Sequence, residues 1–251
     1  MNKDWAPEAP VWFEVNGGRR IVTTCTPDDM HAFTAGYLLS EDYIRHATEI
    51  EEFDIAETVP AIGVRVKVSN AGAIRVGVLH RHIRENGCGP LHYVTCDPAT
   101  LCQDRPLGIP SENAFREIFR ALYAAGDAAY PDGGMHTAAL SDGEKLHFVM
   151  TDIGRHNAVD KTIGRGLLAG AELPSLGLVI TARISGAIVV KAARAGLSWI
   201  ASRSIPTTLA VSIAEAAHLP IIARAASKDA QVIGAAGGTK CPPTQTADDD
   251  A

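Results

Sequence analysis

Alternating apolar and polar positions dominate the first part of the chain. Val11 to Val15 alternates around Trp12 and Phe13, Asn16-Gly17-Gly18 forms a turn, and Ile21 to Thr24 returns, which predicts a β-hairpin. Thr26-Pro27-Asp28-Asp29 then reads as a helix start, with Thr26 as N-cap and Pro27 at the first helical position. Met30, Phe33, Tyr37 and Leu38 share one face of that helix. Ile62, Val64, Val66 and Val68 alternate with Arg65 and Lys67, and Ile74, Val76 and Val78 supply the return of a second hairpin. Periodicity then disappears from His80 to Pro110, a stretch holding Cys88, Cys96 and Cys102; long irregular segments inside compact domains are often functional loops.

Regular patterning resumes at Ser111, the cap of a helix with Phe115, Ile118, Phe119 and Leu122 on one face and Gly126 near its end. Thr137 to Leu140 and Leu146 to Met150 form a third hairpin. The remainder reads strand (Leu176 to Thr181), helix (Ser185 to Gly196), strand (Trp199 to Ser202), helix (Thr207 to His218), strand (Pro220 to Ala223). Strands joined by helices imply a parallel arrangement, with ligands at the C-terminal strand ends. Those ends carry Thr181 to Arg183, Ser202, Arg203, Ser204 and Arg224. Residues 1–233 therefore read as one α/β domain, with 80–110 as a mobile cysteine loop and 234–251 as a disordered tail.

One stretch stands out, TDIGRHNAVDKTIG from Thr151 to Gly164, where the third hairpin runs into a helix. A helix N-terminus presents free N–H groups and a partial positive charge. Arg155, His156 and Asn157 at such a place suit an anion. The plainer alternative is that Asp152 or Asn157 caps the helix while Arg155 pairs with a carboxylate.

Composition narrows the function. Of 251 residues, 46% are hydrophobic and 21% charged, enough for a sizeable core, and the net charge of −6 argues against a general nucleic-acid binder. No apolar run is long enough to cross a bilayer and the N-terminus lacks a secretory signal. Five cysteines without framework spacing (Cys25, Cys88, Cys96, Cys102, Cys241) suggest free thiols in a reducing, cytoplasmic setting. Zinc is disfavoured because no C-x-x-C or H-x-E occurs, and phosphate loops and a G-x-S-x-G elbow are missing too. What remains is thiol chemistry at Cys88, in Asn86-Gly87-Cys88-Gly89-Pro90. Arg81, His82, Arg84 and His92 nearby would favour the thiolate; a neutral surface cysteine is the alternative.

Several blocks resemble one family in order. TDIGRHNAVDKTIG, GGMHTAAL (Gly133 to Leu140), ARISGAIVVKAARAG (Ala182 to Gly196), SRSIPTTLAV (Ser202 to Val211) and TPDDMHAFTAGYLLSE (Thr26 to Glu41) are similar to motifs of the FdhD/NarQ family, the formate dehydrogenase accessory sulfurtransferases. The resemblance implies a cytidine-deaminase-like α/β fold, a mixed sheet flanked by helices and without zinc, in a homodimer. It implies a sulfurtransferase that takes persulfide sulfur from a cysteine desulfurase on Cys88. The sulfur goes to the molybdenum bis(molybdopterin guanine dinucleotide) cofactor, which is then inserted into formate dehydrogenase. Arg155, His156, Asn157, Arg183, Ser202, Arg203, Ser204 and the segment Ile222, Ala223, Arg224, Ala225, Ala226, Ser227 would hold that cofactor. No nucleic-acid or membrane partner is implied. Two departures follow. Leu91 stands where the family's C-G-x-C-G has its second cysteine, which leaves Cys96 or Cys102 as substitutes, or a cofactor-binding chaperone that has lost sulfur transfer. Ala225 replaces a glycine after Arg224, with Lys228 as the second cation.

Overall fold

The computed structural model describes residues 5–18, 20–58, 61–69, 98–103, 105–106 and 108–234. Two mixed sheets and five α-helices make up this part. The first sheet contains β1 (Ala9–Val15), β2 (Ile21–Cys25), β3 (Ile50–Thr58) and β4 (Ala61–Val68) in the order β2-β1-β4-β3. The first hairpin forms as expected, with Val11 opposite Thr23. β4 does not depend on a following strand for its partners. It runs parallel to β1 and antiparallel to the preceding β3, whose register shifts between Ile50 and Glu52. The expected return strand at Ile74 to Val78 lies outside the described residues.

The second sheet has the order β10-β9-β8-β7-β5-β6. Its strands are β5 (His136–Ser141), β6 (Leu146–Asp152), β7 (Gly177–Ile180), β8 (Ile200–Ser202), β9 (Ile221–Ala223) and β10 (Gln231–Ile233). β7, β8 and β9 are parallel, as the strand–helix alternation implies. β5 is antiparallel to both β6 and β7, so β6 runs in the same direction as β7. The C-termini of β6, β7, β8 and β9, together with the start of β5, therefore meet along one rim of the sheet.

Alternation along these strands divides two cores. Leu140, Leu178, Ile180, Ile200 and Ile221 face a large cluster shared with the first sheet, while Ala139, Val179, Ala201 and Ile222 face a smaller one. The smaller cluster is covered by α2 (Glu112–Ala129) through Phe115, Ile118, Phe119 and Leu122, with Phe115 edge-on to the buried Trp199. Ser111 caps α2 as expected, accepting from the Ala114 N–H. Gly126 does not end this helix. It lies inside it, where an added Cβ would come 2.6 Å from Thr137 Oγ1.

The larger core holds α1 (Met30–Ser40), α3 (Arg155–Leu168), α4 (Gly186–Arg194) and α5 (Thr208–Ala216) between the two sheets. Phe13 of the first sheet stacks on Tyr37 and meets Phe33 edge-on, both from α1. Burying such a ring contributes about 1.5–3 kcal/mol. α1 and α3 touch backbone to backbone: a Cβ on Gly36 would overlap the Asp160 carbonyl, and one on Gly164 the Ala32 carbonyl. The cap of α1 corrects the sequence reading. Asp29, not Thr26, accepts from the Ala32 N–H, at a left-handed φ of 40°. No helix among the described residues is long and apolar enough to cross a membrane.

Candidate anion-binding rim

The stretch that stood out in the sequence is built around one buried carboxylate. Asp152 ends β6 with no solvent exposure. One of its oxygens accepts from the Gly154 N–H (2.8 Å) and Asn157 Nδ2 (3.0 Å). The other accepts from the Thr26 N–H (3.0 Å) and lies 2.8 Å from Lys161 Nζ. Gly154 is required here, since a Cβ would come 2.8 Å from Asn157 Nδ2. Asn157 also donates to the Thr24 carbonyl. Its amide nitrogen thus holds the turn together.

Lys161, fully buried, completes this cluster by donating to the Thr26 carbonyl and to Asp28 as well. Burial alone would lower its pKa, but Asp152 and Asp28 overcome that and raise it, so it stays an ammonium. One residue earlier, Asp160 enters a second buried network. Lys191 of α4 donates to Asp160 (2.9 Å), Glu41 (2.8 Å) and the Ser40 hydroxyl (2.9 Å). The Ser40 hydroxyl in turn donates to Asp160 at 2.7 Å. Arg194 donates to the Ser40 carbonyl. α3 thereby pins the entry of α1 through Lys161 and its exit through Asp160.

Above this foundation the rim is cationic. Arg155 opens α3 half-buried, and Arg183, Arg203 and Arg224 follow β7, β8 and β9, all exposed. None of these four lies within ion-pair distance of a described carboxylate, whereas Arg20, Arg65, Arg116, Arg120, Arg165 and Arg194 each do. Simple charge pairing of Arg155 is therefore not what the fold uses it for. Arg203 packs its guanidinium 5.5 Å from the Tyr123 ring centre. α3 begins at Gly154 and α4 at Ser185, and neither receives a side-chain cap, in contrast to α1, α2 and α5. Their first N–H groups stay available on the same rim.

Two histidines complete it. His136 starts β5 opposite Asp152, and His156 lies 3.2 Å from the Ser185 hydroxyl. Burial, then Lys191, Arg155 and His136, depress His156 to about 3. Burial and Arg155 lower His136 as well, against Asp152. Both rings are neutral at physiological pH and can accept as well as donate hydrogen bonds.

Other anticipated residues serve the scaffold. Ser202 is buried, donating to the Ala182 carbonyl (2.7 Å) and accepting from the Ser204 N–H (3.0 Å). Ile222, Ala223 and Ala225 bury their side chains, leaving only main chain toward the rim. Arg224 and Ala226 have φ of 50° and 65°, so the positive-φ positions flank Ala225, and its methyl group fits the smaller core. Ser227 accepts from the Asp229 N–H through its hydroxyl.

Cys25 is buried and free; burial, then Asp152, pushes its thiol up to about 12, so it is not a nucleophile. Cys102 is disulfide-bonded, which corrects the expectation of free thiols for that residue. Lys228 is exposed after β9, and Cys88, Cys96 and Cys241 lie outside the described residues. Among the described residues no three His, Cys, Asp or Glu side chains are grouped to hold a metal ion.

Comparison with known proteins agrees with these blocks. The profile of the FdhD/NarQ family matches residues 6–236. Sulfur carrier protein FdhD of Bacillus pumilus (strain SAFR-032) is 32% identical over 219 residues, 86% of this chain and 82% of that protein. Its counterparts in Bacillus subtilis (strain 168) and Listeria innocua serovar 6a are each 31% identical over 86% of this chain. A crystal structure of a formate dehydrogenase accessory protein from Desulfotalea psychrophila shares the fold, with a TM-score of 0.68 at 22% identity over 90% of this chain and 86% of that one. The chain belongs to the FdhD/NarQ family.

Proposed function

We propose that this protein is a sulfur carrier serving formate dehydrogenase, and that its rim binds the guanine-dinucleotide form of the molybdenum cofactor. The observation that carries the binding half is the set of four arginines without carboxylate partners among the described residues (Arg155, Arg183, Arg203, Arg224), beside two helix N-termini that lack a side-chain cap. A polyanion with phosphate groups supplies the charge this rim lacks. Family membership and the names of the curated relatives support the sulfur half.

On this reading the protein acts in the cytoplasm as a homodimer, and Cys88 is the acceptor. Its thiolate attacks the sulfane sulfur of a cysteine desulfurase persulfide. The new S–S bond leaves the persulfide on Cys88, and the desulfurase cysteine departs as a thiolate. Leu91, in place of a second cysteine, favours one competing reading, an escort that binds the cofactor without moving sulfur. Incubation with a cysteine desulfurase and free cysteine separates the two. Intact mass is expected to show one added sulfur on the wild type and none on Cys88→Ala. An unmodified wild type that still binds guanosine diphosphate would establish the escort instead.

A further inference from the structure

The rim arginines and histidines need a fixed platform, and the buried cluster beneath them supplies it. Asp152 is the charged link between the two: it holds the Gly154 N–H and Asn157 with one oxygen and the Thr26 N–H and Lys161 with the other, beside the neutral bonds from the Ile153 N–H to the Thr26 hydroxyl and from Asn157 to the Thr24 carbonyl. Without a cation at Lys161, a carboxylate with no solvent exposure would face no positive partner at this distance. It would then protonate or turn outward, and the turn that starts α3 would lose its charged anchor. Arg155 and His156 are the two residues following that turn, and no carboxylate among the described residues pairs with Arg155.

We infer that Lys161 is a positioning residue for the rim: acting through Asp152, its ammonium sets the first turn of α3 and so the placement of Arg155 and His156. The inference rests on the rim being the binding site proposed above. It extends that reading by making one buried lysine, remote from any ligand, a determinant of affinity. A purely structural lysine would behave like Arg105, which lies at the opposite end of the sheet. Arg105 donates to the carbonyls of Leu197, Ala217 and His218, ahead of β8 and β9, and touches nothing on the rim.

The test compares Lys161→Met, Lys161→Arg, the neutral pair Asp152→Asn with Lys161→Met, and Arg105→Leu in the full chain. Two readouts are taken at a temperature where circular dichroism shows each variant folded. The first is affinity for guanosine diphosphate by calorimetry. The second is the titration of the His156 imidazole by NMR, which needs no ligand. His156 faces Ser185 and Lys191 from α4, Arg155 on its own helix and His136 from β5. Lys161→Met and the neutral pair are expected to bind about tenfold more weakly or worse, the scale of one charge-assisted hydrogen bond. In both, His156 should titrate nearer its ordinary range, with Lys161→Arg restoring much of each signal and Arg105→Leu leaving both at wild-type values. A wild type that binds no guanosine diphosphate would sink the binding-site reading while the histidine titration still decided the positioning role. If His156 titrates as in the wild type when Lys161 is replaced in a folded variant, Lys161 has no positioning role. Equal losses in Arg105→Leu would reduce it to general stability.

Discussion

Two sets of cations lie within eight residues of each other along α3 and along the segment that runs into α4, and the fold treats them oppositely. Lys161 and Lys191 are buried and surrounded: Asp28, Asp152, Glu41 and Asp160 meet them at hydrogen-bond distance. Arg155, the first residue of α3, and Arg183, two residues before the Ser185 cap of α4, meet no carboxylate among the described residues. Charge pairing is thus spent on holding α1, α3 and β6 together, and withheld where the helices meet solvent. Buried charges must be satisfied internally because burial without a partner is costly. Unpaired guanidinium groups at a rim stay soluble alone, and their full donor capacity remains for an incoming anion.

The sharpest way to break this contrast is Lys191→Met, which leaves Asp160 and Glu41 facing each other in a dry interior. Unfolding in urea should show a loss of about 3–5 kcal/mol, the cost of removing one partner from a buried ion pair. A loss under about 1 kcal/mol would mean that the lysines are no more important to the fold than surface pairs. Next in size, Gly164→Ala should destabilise by about 1–3 kcal/mol or more, because its methyl group has to displace the α1 backbone. Arg155→Ala should do the reverse of Lys191→Met: stability within about 0.5 kcal/mol of wild type, but guanosine diphosphate bound more weakly by about 1.5–3 kcal/mol.

A further effect is on pH dependence. His156 is depressed to about 3 in the folded protein, so its contribution is present above its ordinary value of 6.5 and is lost as pH falls through that window. Asp160 has the opposite sign. Burial, opposed by Lys191 and Ser40 and assisted by Glu41, raises its carboxyl to about 6, so its contribution is present below the ordinary 3.8 and is lost as pH rises toward 6. The two oppose each other in mildly acidic solution. His156→Gln should therefore flatten the fall in Tm on acidification, and Asp160→Asn should steepen it; unchanged slopes in both would remove these groups from the acid response.

Much of the fold is legible in the chain because both periods are clean. The Val11 to Thr24 hairpin, the Ser111 cap and the parallel β7-β8-β9 unit all follow from local pattern and turn chemistry. β3 is not legible in the sequence because Glu51, Glu52 and Asp54 are exposed and a register shift after Ile50 breaks its alternation. Thr26 has the chemistry of an N-cap, but long-range partners claim it: its N–H goes to Asp152, its carbonyl to Lys161 and its hydroxyl to the Ile153 N–H. Gly126 resembles a helix stop and is instead a contact point for Thr137.

For the rim, strand-end arginines and the start of α3 were visible as an anion-friendly pattern, and the fold brings them together. Asn157 and Ser202 carry the right groups but are already engaged. What the sequence concealed is the platform. Asp160, Lys161 and Lys191 are charged residues inside amphipathic helices, where a solvated face is the ordinary expectation, and only the tertiary structure shows that Asp160 meets Lys191 and Lys161 meets Asp152. The sequence does carry a cue, since Asp160, Lys161 and Thr162 sit between the buried Val159 and Ile163 and cannot all reach water.

The direct test of the contrast measures one variant from each set in parallel, Arg155→Ala and Lys191→Met, for urea stability and for guanosine diphosphate affinity. Arg155→Ala is expected to keep wild-type stability and lose about tenfold or more in affinity, whereas Lys191→Met loses several kcal/mol of stability. Wild-type affinity in Arg155→Ala, or a loss of stability there equal to that of Lys191→Met, would contradict the division between a paired platform and an unpaired binding rim.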